Sequence, residues 1–165
     1  MALIEEKYYR PVGTAVATAA GLGVPGVFVP PLDMAGVGAT WTAMVVAIAR
    51  KSGHEMDAAA AGKVVAAGVG ALAGYKLGSK ILTWTAAPLV VTFPIAGVPA
   101  VVVANATLNA LFTLKLGVAT CNQFSRPGFR TMDVLNLARA IAMELVPMPT
   151  MAEIRLVKEM MQAAW

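Results

Sequence analysis

Few side chains in this 165-residue chain could do chemistry. Its only histidine, His54, stands beside Glu55 and Asp57, three groups that could touch a metal. Their spacing matches no specific ligand set, and a lone loop histidine is ordinarily just solvated. Its only cysteine, Cys121, lies 67 positions from that histidine and so has no evident base to make it a nucleophile. It reads as a small buried hydrophobe. One cysteine also rules out a disulfide framework within the chain. No phosphate-binding loop, paired-carboxylate site or Gly-x-Ser-x-Gly elbow is present. Glycine-rich pieces such as Gly68-Val69-Gly70 fall within a helical pattern and follow no strand. The residues therefore predict a non-enzymatic protein with no catalytic residue, no cofactor and no metal.

The remaining polar candidates sit in apolar surroundings. Asp33 follows Pro30 and Pro31 and opens an apolar stretch. Inside a membrane it would mark an ion path, but as a helix N-cap it is structural, and the cap is the favoured reading. Asn105 and Asn109 are four apart in the most apolar segment, with Thr107 and Thr113 nearby. They read as interhelical hydrogen-bond glue, or as the lining of a polar path if several copies form a ring. Gly62, Ala66, Gly70, Gly74 and Gly78 repeat every four residues and fall on one helical ridge. Glycine within a helix costs up to about 1 kcal/mol relative to alanine. A ridge of this kind implies a close helix neighbour, either in a second copy or within the same chain.

The elements that carry these residues are greasy. The chain is 58% apolar and only 13% charged, with a mean hydropathy of +0.70. That excludes intrinsic disorder. The formal charge is +4, and no acidic residue occurs between Asp57 and Asp133. Basic residues beside apolar segments favour anionic lipid over nucleic acid, which would call for clustered cations. Arg50, Lys51, Lys76, Lys80 and Lys115 are the candidate headgroup contacts, and Trp41, Trp84 and Trp165 are candidates for headgroup depth. The N-terminal residues do not have the pattern of a cleaved signal, so a cytoplasmic N-terminus is expected.

Uncharged runs cover 11–32, 34–49, 64–75 and 81–114. Prolines at 30–31 and 94–99 break them. Helices are expected over about 34–52, with Asp33 as cap and Gly53 at the C′ position, and from Asp57 to about 85. A further helix is expected over about 100–124. Residues 131–165 regain charges of both signs. There Val134, Ala138, Ile141 and Leu145 form an apolar stripe, and Thr150 to Glu153 fits a capping box. The expected fold is all-α. It consists of Gly/Ala-rich helical hairpins over 1–130, embedded in or associated with a membrane, and two short amphipathic helices over 131–165. The positive-inside rule puts the basic segments on the cytoplasmic side.

Val29-Pro30-Pro31-Leu32-Asp33, the run Trp41 to Arg50 and Gly53-His54-Glu55 resemble an uncharacterised bacterial hydrophobic helical domain family. Its members accompany Era-like GTPase domains, and EcsC-like proteins share the pattern. Thr113-Leu114-Lys115-Leu116-Gly117 echoes a later element of that family. The resemblance spans about 24–125 and implies a helical, membrane-associated module with no catalytic residues to transfer. It also implies that any nucleotide-driven role would need a separate GTPase partner. The functional expectation is a self-associating membrane scaffold that binds anionic lipid. The alternatives are a channel or transporter subunit, or a soluble oligomer (shell, filament or hydrophobic conduit) that hides its apolar surface between subunits.

Overall fold

The structure, a computed structural model, describes residues 3–26, 30–74, 100–129, 134–145, 147 and 149–163. Among these residues the chain forms six helices and no strand, so the fold is all-α. The helices are α1 (Glu6–Gly26), α2 (Pro30–Lys51), α3 (Ala58–Gly74), α4 (Ala100–Phe124), α5 (Val134–Leu145) and α6 (Met151–Gln162). Among the described residues no helix is long and apolar enough to cross a membrane.

Local signals set most of the helix ends. Gly53 takes a φ of +78°, a left-handed conformation natural to glycine, and its N–H bonds the Arg50 carbonyl at 3.1 Å. Asp57 accepts the Ala60 N–H at 2.7 Å and so caps α3. Thr150 and Glu153 form the expected capping box, with the Thr150 N–H donating to the Glu153 carboxylate at 2.6 Å. Asp33 departs from expectation. The helix starts at Pro30 rather than after Asp33, so Asp33 is its fourth residue and not its cap. Proline is well suited to a first turn, where its missing N–H has no partner to lose. The Pro-Pro pair therefore begins the helix instead of breaking it.

Helical spacing builds the core. On α1 the buried residues Tyr8, Val12, Ala15, Val16 and Ala19 recur at steps of three and four. They face α4 and α2. Tyr8 at one end of α1 bonds Ser52, while Leu22 near the other end packs on Gly36, so α1 and α2 run antiparallel. Gly117 marks the closest approach. A Cβ placed there would lie 2.9 Å from Val12 Cγ1 and 3.3 Å from Met44 Sδ, so α4 needs glycine to meet α1 and α2.

The two C-terminal helices sit in the same core. α5 packs on α3 and α4, and α6 on α1 and α4. Leu137, Ile141, Leu145 and Val157 join Tyr8, Ile48 and Leu114 in one apolar cluster. Polar ties reinforce this seating. Glu144 of α5 accepts hydrogen bonds from Asn122 at 2.9 Å, from the buried Gln123, and from Arg126 at 3.3 Å.

Candidate functional site

Of the expected site residues, Gly62, Ala66, Asn109, Arg50 and Lys51 lie along α2, which has a groove on each flank. On the α3 side, Val37, Trp41, Gly62, Ala66, Val69 and Asn109 line a mostly apolar cavity of about 400 Å³. The Trp41 indole is held in place because its N–H donates to Thr113 Oγ1 at 2.7 Å. Thr113 in turn donates to the Asn109 carbonyl at 2.6 Å. Two members of the small-residue ridge and one of the two asparagines therefore share a wall.

The ridge itself is largely uncovered by described residues. Gly62 is half-buried, with Thr42 Oγ1 4.0 Å from where its Cβ would be. Ala66 and Gly70 are exposed, and a Cβ at Gly70 would meet nothing within 4 Å. Gly78, Lys76 and Lys80 lie outside the described residues. For Asp33, Asn105 and Gly74 only the helical backbone is described.

On the α1 side a second groove, of about 560 Å³, runs between the antiparallel helices. Thr14 and Thr18 of α1 face Thr40 and Ala43 of α2 across it, over a floor that includes Met44. Arg10 and Lys51 stand at one end. A third hollow, of about 700 Å³, continues over Ala39, Ala43, Val46 and Ala47 to Arg50, Lys51 and Ala58. The solvent-facing side of α2 is thus a run of small apolar residues ending in cations. Among the described residues no carboxylate lines either hollow.

Two cations are paired among the described residues, while Lys63, Arg139 and Arg155 are exposed and make no ion pair there. Lys7 pairs with Glu5 at 3.0 Å and Arg126 with Glu144 at 3.3 Å. Arg10, Arg50 and Lys51 are exposed and make no ion pair among the described residues. Lys115, expected at a lipid surface, is buried instead. Its ammonium donates to the Pro147 carbonyl in the connection between α5 and α6. Burial lowers its pKa, and the nearby Glu153 carboxylate partly offsets that.

The other reactive candidates are packed away. The His54 ring packs in a cluster with Phe124, tilted at a centroid distance of 5.5 Å, and with Phe129, edge-on at 4.9 Å. Among the described residues no group of three His, Cys, Asp or Glu side chains could hold a metal. Cys121 is buried, and burial pushes its thiol up to about 12.

One polar cluster had no signature in the sequence. Tyr8 Oη and Ser52 Oγ lie 2.6 Å apart, and Ser125 donates to Glu5 at 2.6 Å and reaches Tyr8 Oη at 3.3 Å. The Ser125 hydrogen bond, with help from Lys7, holds the Glu5 carboxyl below its ordinary pKa. The cluster ties α1, α2 and α4 together at the end where Arg10 and Lys51 emerge.

No family model, curated protein or solved structure matches this chain.

Proposed function

We propose that the chain is a non-enzymatic module that attaches to an anionic membrane surface through α2 and assembles there into a scaffold. The observation that supports it is the free cationic end of α2. Arg50 and Lys51, with Arg10 beside them, lack carboxylate partners among the described residues and border an exposed apolar helix face. The end of α2 thus sets cations beside an exposed run of small residues, an edge that can rest against anionic headgroups. Near an anionic surface each such cation contributes about 1 kcal/mol. Three contribute about 3 kcal/mol, on the order of a hundredfold in partition. That gives reversible attachment and requires none of the described helices to cross the bilayer.

Vesicle flotation of the full chain tests this reading. The protein should float with phosphatidylglycerol vesicles at low salt and much less with phosphatidylcholine vesicles. Raising the salt should weaken flotation, as screening of exposed charge requires. Equal flotation with both vesicle types, or none with either, overturns the reading.

A further inference from the structure

We infer that the groove between α1 and α2 is a binding site for one anionic phospholipid molecule, with its headgroup between Arg10 and Lys51 and an acyl chain lying over Ala43 and Met44. The inference rests on the membrane-attachment reading and adds to it a defined ligand and a place.

Charge complementarity argues for that occupant. Arg10 enters from the start of α1 and Lys51 from the end of α2, and the antiparallel pairing puts both at one end of the groove. Their position is fixed by the Tyr8–Ser52 contact of 2.6 Å, which locks the two helix ends together. Neither cation has an ion pair among the described residues, and no carboxylate lines the groove. An anion there meets two donors, and Glu5 at that end is already engaged by Ser125 and Lys7.

The rest of the groove suits a hydrocarbon. Beyond the cations the floor and walls are methyl-bearing, made by Ala15, Ala43, Met44, Ala47 and threonines. The Thr40 hydroxyl is turned back onto the Gly36 carbonyl at 2.9 Å, which leaves its methyl for packing. From Lys51 to Thr40 the groove follows α2 for about 16 Å at 1.5 Å per residue. Its volume of about 560 Å³ falls in the range of small-ligand sites. A free phosphate would use only the cationic end. A bilayer attracted by charge alone would use no groove. A phospholipid uses both.

The test is binding of dihexanoyl phosphatidylglycerol, below its micelle concentration, to the full chain by isothermal titration calorimetry. Dihexanoyl phosphatidylcholine and inorganic phosphate serve as comparisons. The phosphatidylglycerol should bind saturably at one per chain, and each comparison should bind at least about tenfold more weakly. Arg10→Glu and Lys51→Glu should each weaken it about tenfold or more. Lys63→Glu makes the same charge change on exposed α3 away from the groove and should leave it within about twofold. Ala43→Phe and Thr18→Phe fill the groove from opposite walls at exposed positions, and each should abolish binding while the helical circular dichroism is retained.

Inorganic phosphate binding as tightly as the lipid overturns the proposal, as does equal weakening by Lys63→Glu. Unaltered lipid binding in both phenylalanine variants overturns it too. If those variants keep binding but still float with anionic vesicles, the groove inference fails and surface attachment stands. If the wild-type chain floats with no vesicle, the attachment reading fails first.

Discussion

The Trp41 indole N–H donates to Thr113 Oγ1 at 2.7 Å, tying the middle of α2 to the middle of α4. Thr113 in turn donates its hydroxyl hydrogen bond to the Asn109 carbonyl at 2.6 Å, so the pair forms a short directed chain. Trp41→Phe removes the first donor and keeps most of the ring, at an expected cost of about 1 kcal/mol. The urea midpoint should fall accordingly with an unchanged slope. Thr113→Val made on top should cost less than it does alone, because the two groups share one bond. Strictly additive losses would mean that the indole hydrogen bond contributes nothing.

Two glycines should respond in opposite directions to the same substitution. A Cβ at Gly117 would lie 2.9 Å from Val12 Cγ1, so Gly117→Ala should destabilise by about 1–3 kcal/mol. Val12→Ala in the same chain should recover part of that loss. Gly70 has no described atom within 4 Å of its missing Cβ and sits in an exposed helix interior. Gly70→Ala should therefore stabilise by up to about 1 kcal/mol. Thermal melts of the three variants decide it, and a destabilised Gly70→Ala would place a close neighbour at that ridge.

The contrast shows what the sequence could reveal. Signals confined to one turn were readable. Gly53 after a helix, Asp57 before one and the Thr150–Glu153 box all act on backbone groups within a few residues. The glycine ridge was readable as a pattern, but Gly117 was not. Its reason is Val12, which is remote in sequence and near only because α1 lies against α4. Lys115 was misplaced for the same kind of reason. Its partner, the Pro147 carbonyl, arrives only when the α5–α6 connection folds over α4. Asp33 was misread locally, because a proline pair can begin a helix as well as stop one. Of the proposed site, Arg50 and Lys51 are legible in the sequence as cations that close an apolar run. The groove they share with Arg10 depends on the antiparallel packing of α1 and α2.

Cys121 should be chemically silent in the folded chain. Its thiol is buried and shifted from 9.0 to about 12, so the thiolate is scarce at pH 8. A maleimide or disulfide reagent should label it only after denaturant is added. The same shift has a linkage consequence. The unfolded thiol ionises near pH 9.0 and the folded one near 12, so the native state holds the extra proton between them. Stability should therefore fall as pH rises through that window, and Cys121→Ala should lose this contribution to the slope. Rapid labelling of the native chain at pH 8 would contradict the buried placement.

The exposed ridge on α3 supplies the test of assembly. Small residues let helix backbones approach closely, and a branched side chain at the contact prevents it. A Cβ at Gly70 meets no described atom within 4 Å, so with Gly70→Leu the monomer should keep its helical spectrum and melt no lower than the wild type. Self-association through the ridge should be lost. In a mild detergent the wild-type chain should have the mass of an oligomer by light scattering, and Gly70→Leu that of one 17.1 kDa chain. Gly21→Leu is a matched control on α1, at an exposed position where a Cβ also meets no described atom within 4 Å, and it should leave the mass unchanged. An oligomer that survives Gly70→Leu would remove the ridge as its contact, and a monomeric wild type would remove the assembly from the proposed function.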